Sequence, residues 1–118
     1  MGLPELLKWQ WSGYARFHRS RTNLLLHIVL VPLFLAGNIA LVTALLRGAA
    51  PVAAAGLGAM LVSVALQGRG HRGEANPPEP FTGPANLVAR ILLEQWITFP
   101  RFVLSGGWAR QLRSAAAR

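Results

Sequence analysis

Apolar residues in this chain come in two unbroken blocks rather than in the alternation of a soluble fold. Residues 24–46 (LLLHIVLVPLFLAGNIALVTALL) are long enough to cross a hydrocarbon layer of roughly 30 Å. Residues 49–66 (AAPVAAAGLGAMLVSVAL) are just long enough, with only Arg47-Gly48 between the two. Together they predict a transmembrane helical hairpin. Pro32 removes a backbone donor and predicts a kink near Ile28. Thr22 or Asn23 can cap the start of the first helix, and Asn23, His27 and Asn38 fall on one polar face of it that should turn toward protein. In the second helix Ala55, Ala59 and Ser63 form a small-residue face suited to close helix approach.

The flanks read differently. Residues 3–19 (LPELLKWQWSGYARFHR) mix leucines, aromatics and bases at helical spacing, which fits an interfacial helix with Trp9, Trp11, Tyr14 and Phe17 at headgroup level. A soluble amphipathic helix packed on the domain fits the same pattern, and the residues alone leave both open. Residues 68–86 (GRGHRGEANPPEPFTGPAN) predict a Gly/Pro-rich loop. Residues 86–104 (NLVARILLEQWITFPRFVL) are apolar but carry Arg90, Glu94, Gln95 and Arg101. They predict an interfacial or re-entrant helix broken near Pro100, followed by a fraying basic tail. The expected architecture is an all-α membrane protein, a single membrane domain over 1–118.

Composition supports that class: 53% of residues are hydrophobic and only 14% charged. The net charge of +8 would suggest nucleic acid if the bases formed a stripe. They flank the apolar blocks instead, which argues against a nucleic-acid partner and places both termini on the cytoplasmic side, with Arg47 opposite. An electrostatic adaptor for membranes or nucleic acid is the weakest alternative. A cleaved signal peptide is not expected ahead of the first block. Without cysteine, any metal must be held by imidazole, carboxylate or amide oxygen. A hairpin this small leaves much surface to lipid, so a homodimer is a candidate assembly.

The candidate chemistry lies with three histidines: His18 four residues after Tyr14, His27 four after Asn23, and His71 four after Gln67 and three before Glu74. On one straight helix His18 and His27 would point in opposite directions, but Arg19–Asn23 can break the helix, and His71 returns to the same end of the hairpin. Three neutral imidazoles, with Glu74 as a candidate additional ligand, suit a divalent iron or zinc ion. The same residues also fit helix-packing glue, a headgroup-level histidine and a loop residue. Glu94 by itself reads as an ion-pair partner of Arg90 or Arg101, and Trp96, Phe99 and Phe102 as packing.

Tyr14-x3-His18-x4-Asn23-x3-His27-x4-Pro32, with Gln67-x2-Gly70-His71, Glu74 and Pro77-Pro78, resembles the two signatures of the Mpo-type 2-hydroxy fatty acid dioxygenases, small membrane proteins of lipid α-oxidation. Two residues separate His71 from Glu74 where that family usually has three, and PPEPFTGP departs from its pattern. The resemblance implies an Fe(2+)-dependent enzyme that uses O2 to shorten a long-chain 2-hydroxy fatty acid by one carbon. His18, His27 and His71 would be the catalytic and metal-binding set, with Tyr14, Asn23, Gln67 and Glu74 supporting or adding to it. Arg19, Arg21 or Arg72 are the expected partners of the substrate carboxylate. The alternative is a non-catalytic integral membrane protein whose polar residues serve packing or partner binding.

Overall fold

The computed structural model describes residues 2–117, and among them it is all-helical, without strands. Helix α1 (Leu3–Tyr14) tightens into a 3-10 turn, Ala15–Phe17. His18–Ser20 redirect the chain into α2 (Arg21–Leu46), and a short turn leads to α3 (Ala50–Arg72). An irregular strap, residues 73–83, then reaches α4 (Pro84–Leu93). A π turn, Glu94–Thr98, α5 (Phe99–Leu104) and α6 (Gly107–Ala117) complete the chain.

At about 1.5 Å per residue, α2 and α3 each exceed the roughly 30 Å of a bilayer's hydrocarbon core. Both are apolar enough to cross one. Only 28% and 22% of their most apolar stretches are buried, so Val29, Leu33, Ile39 and Val42 of α2 and Leu57, Leu61 and Val62 of α3 face outward. The core helix of a soluble domain would bury most of these.

The two long helices pack antiparallel, and glycine sets their spacing. A Cβ on Gly56 would lie 2.6 Å from the carbonyl oxygen of Gly37, and one on Gly37 would lie 2.7 Å from that of Gly56. The buried face of α3 is Ala53, Gly56, Ser63, Gln67 and Gly70, a near-heptad spacing; of the expected Ala55, Ala59 and Ser63, Ser63 is buried and Ala59 meets α2 beside Gly37, while Ala55 is exposed. The i, i+4 row drifts around the helix, and a seven-residue row keeps facing its partner. Gly56→Leu is therefore expected to part the helices and cost about 1–3 kcal/mol. Gly58→Leu, whose side chain would enter open space, serves as the control. Equal melting temperatures for the two variants would sink this account.

Local chemistry explains where the elements differ from the sequence pattern. Ser20 caps α2, its hydroxyl accepting from the Asn23 N–H at 3.3 Å, so the helix begins at Arg21, ahead of the apolar block and of the caps expected at Thr22 or Asn23. The second helix continues through Gly68 and Gly70 to Arg72, well into the expected loop. A helical glycine costs only about 1 kcal/mol relative to Ala, and at Gly70 an added Cβ would fall on Asn23 Oδ1. Residues 84–104 do not break at Pro100. Proline lacks an N–H and excludes the carbonyl four residues back. The preceding turn widens so that the Phe99 N–H bonds to the carbonyl of Glu94, five residues away, and the helix carries on.

The basic tail is helical rather than frayed, because it has partners. Trp108 Nε1 donates to the Leu24 carbonyl at 2.9 Å and Gln111 Nε2 to that of Ala15 at 2.6 Å. Trp108 and Leu112 also pack on the buried cluster of Tyr14, Leu24, Val31, Phe99 and Phe102. This small core lies at one end of the α2–α3 pair, beside the histidines.

Candidate metal centre

His18, His27 and His71 come from three separate elements and meet in one cluster. Their ring centroids lie 5.0, 4.7 and 4.9 Å apart, with each pair of planes nearly perpendicular. Two local hydrogen bonds aim the first two rings. His18 Nδ1 donates to the Tyr14 carbonyl at 2.7 Å, and His27 Nδ1 to the Asn23 carbonyl at 3.0 Å. A carbonyl only accepts, so the proton sits on Nδ1, and Nε2 of each neutral ring presents a lone pair to the cluster. Both Nε2 atoms are buried without a hydrogen-bond partner, as is His71 Nδ1.

The carboxylate of the cluster is Glu94 rather than Glu74. Its Oε2 lies 3.4 Å from His18 Nε2 and 3.7 Å from His27 Nε2, and one ligand atom from each of His18, His27, His71 and Glu94 falls within 4.8 Å of the others. The π turn that accommodates Pro100 begins at Glu94 and aims it inward. Tyr14 holds the carboxylate in place, its phenol donating to Oε2 at 2.7 Å while its ring stacks on His18 with centroids 3.7 Å apart. Burial pushes the Glu94 carboxyl up, and positive charge among His18, His27 and His71 holds it well below the usual carboxylate range; with the rings neutral, a bound cation is what would supply that charge. Burial, reinforced by the Glu94 charge and hydrogen bond, raises the Tyr14 phenol, so it stays a proton donor.

Glu74 has a different task. Its oxygens accept from the backbone N–H groups of Arg19 and Ser20 at 2.9–3.1 Å and from Asn23 Nδ2 at 2.8 Å. It thereby fixes the bend between His18 and α2, with a negative charge at the helix N-terminus. Two residues between His71 and Glu74 place this carboxylate over the bend and away from the imidazoles.

Gln67 pairs with Gln95 through reciprocal amide bonds of 2.9 Å, and also donates to Ser63. Ser63 in turn donates to the Leu30 carbonyl, linking the Glu94 turn, α3 and α2. Asn38, half-buried, accepts from Trp96 Nε1 and stands apart from the cluster. Phe99 and Phe102 pack against the His27 and His18 rings.

A cavity of about 400 Å³ opens onto the cluster. Three helical stripes line it: Gln10, Tyr14 and Phe17 leading to His18; Val64 and Gly68 leading to His71; Leu87 and Ile91 leading to Glu94. Its cationic residues are Arg16 and Arg90. The expected carboxylate partners Arg19, Arg21 and Arg72 are exposed and do not line it. Being basic and close in sequence to a histidine does not decide which way a side chain points. Arg90 donates to the carbonyls of Glu79 and Pro80 and lies over the rings of Trp9 and Phe81, clasping the strap to α1 and α4.

The described residues thus form an all-helical protein in which three histidines and one glutamate could hold a metal ion. The donor set fits one: three nitrogens without partners and an ionised carboxylate converge, all of them acceptors, and a cation satisfies them together. Comparisons with protein-family models, curated proteins and solved structures returned no match. Glu94 escaped the sequence reading, yet it left one signal, an acid flanked by Gln95 in an apolar segment that has no need of either.

Proposed function

We propose that this protein is an integral membrane non-haem iron(II) dioxygenase that shortens long-chain 2-hydroxy fatty acids by one carbon. The carrying observation is the convergence of unpaired nitrogens of His18, His27 and His71 on the Glu94 carboxylate, at the end of a largely apolar cavity. The resemblance of the histidine signatures to the 2-hydroxy fatty acid dioxygenases supplies the substrate. Outward-facing apolar residues on α2 and α3 support a bilayer-spanning hairpin with α1 and α4–α5 at its interface. Arginines clustered at the histidine end support a cytoplasmic location for that end.

His18, His27, His71 and Glu94 would hold iron(II), imidazole nitrogen and carboxylate oxygen being donor types that suit that ion. Bound iron supplies the redox chemistry between O2 and the hydroxy acid. In that reaction the C1–C2 bond breaks, C1 leaves as CO2, C2 becomes the new carboxyl carbon, and the remaining oxygen of O2 leaves as water. O2 takes up all four electrons, so no other reductant is needed. The protein's own residues orient and exclude. Tyr14 fixes both Glu94 and the His18 ring, the Gln67–Gln95 pair closes one wall, and Arg16 is the cavity-lining cation that meets the substrate carboxylate.

Iron-loaded protein in lipid nanodiscs, given 2-hydroxyhexadecanoic acid and O2, is expected to release CO2 and pentadecanoic acid in equal amounts. An iron-replete protein that consumes neither acid nor O2 would overturn the enzymatic reading.

A further inference from the structure

Gly68 sits near the end of α3, where a glycine costs about 1 kcal/mol of helix propensity relative to Ala. Gly37, Gly56 and Gly70 offset that cost through the close approach of α2 and α3, since a Cβ on any of them would collide with the facing helix. Gly68 has no such role, because a Cβ there meets nothing within 4 Å. Gly58 is equally open, but of the two Gly68 is the one that lines the cavity. Val64, Gly68 and His71 follow one face of α3, so the missing side chain belongs to the turn that leads directly to a cluster histidine. Phe17, Leu87 and Ile91 line the same cavity.

From this we infer that Gly68 is the specificity-determining position of the cavity: its missing side chain leaves the passage through which a single unbranched alkyl chain lies against α3 while the oxygen-bearing end of the same molecule meets the metal cluster. The inference rests on the proposed function and adds how chain length is read. A large side chain at residue 68 fills the passage near the cluster, so short acids still reach the metal and long ones lose the path for their tails. Ala takes little of the space and favours the helix, so Gly68→Ala keeps long-chain binding.

Cobalt(II)-loaded protein allows the test without turnover, because its visible absorption changes when a hydroxy acid enters the metal's surroundings. Titrations with 2-hydroxyhexanoic and 2-hydroxyhexadecanoic acids would compare wild type with Gly68→Ala, Gly68→Leu, Gly68→Phe and, as a control on the same helix, Gly58→Phe. Long-chain affinity is expected to fall by about tenfold or more in the Leu and Phe variants at position 68. Short-chain affinity, cobalt content and the Gly58→Phe protein should match wild type. Should Gly68→Phe fail to load cobalt, the graded Ala and Leu variants decide the question. Long-chain binding that is indifferent to side-chain size at 68, or lost equally for both acids, overturns the role of Gly68. Cobalt-loaded wild type that responds to neither acid overturns the substrate reading itself, and this inference with it.

Discussion

Bound iron is expected to fall from stoichiometric to background when His18, His27 or His71 is replaced by Ala in anaerobically purified, detergent-solubilised protein. Each substitution removes one of four converging donors, and the loss should exceed the roughly 10–100-fold that merely orienting partners of a metal ligand contribute. The metal-free variants should melt close to metal-free wild type. Deleting a buried nitrogen that has no partner in the fold relieves a desolvation cost that offsets the packing lost with the ring. A scaffold role for the histidines predicts the opposite pair of results. In that case wild type takes up no metal even after iron loading, and His27→Ala, at a fully buried position, fails to fold. The scaffold reading accounts well for Gln67 and Gln95, whose amides satisfy each other. It leaves three inward-facing imidazole nitrogens without a purpose.

The two carboxylates near the cluster should respond in opposite ways. Glu74→Ala is expected to destabilise the protein by about 3 kcal/mol, because charge-assisted hydrogen bonds contribute about 1.5–3 kcal/mol and this side chain serves two backbone N–H groups and a buried amide. Metal binding would weaken along with the fold, since the bend it secures carries His18. Glu94→Gln is expected to leave the metal-free protein as stable as wild type, Tyr14 still donating to the remaining oxygen, while iron affinity drops by at least about tenfold with the loss of the negative ligand. Thermal melts of the metal-free proteins beside iron titrations separate the two. The assignment fails if Glu74→Ala melts as wild type does and loses iron, or if Glu94→Gln keeps wild-type affinity.

Much of the backbone plan was legible because it depends on local pattern. Two apolar blocks joined by Arg47-Gly48 could only be long helices, and Gly48, with φ of 68°, supplies the left-handed residue that ends the first. Spacing also placed each histidine a helical turn after a polar residue, and for His18 and His27 the carbonyls of those residues, Tyr14 and Asn23, turn out to be the hydrogen-bond partners. Element ends were read less well. Gly68 and Gly70 look like breakers until α2 is seen pressing against Gly70, and Pro100 looks like a stop until the turn ahead of it widens.

By itself the sequence determined what local chemistry can decide: that the two apolar blocks are helices long enough to cross a membrane, and that the imidazoles beside them are the scarce polar groups needing partners. Only the tertiary structure decided which carboxylate joins them. Glu74 stands three residues from His71, whereas Glu94 is 76 residues from His18 and reaches it only because a π turn before Pro100 aims it inward. The cavity's cations were decided in the same way, Arg16 and Arg90 in place of Arg19, Arg21 and Arg72. Helical periodicity fixes the face a side chain occupies on its own element, but what that face meets depends on how the elements pack together.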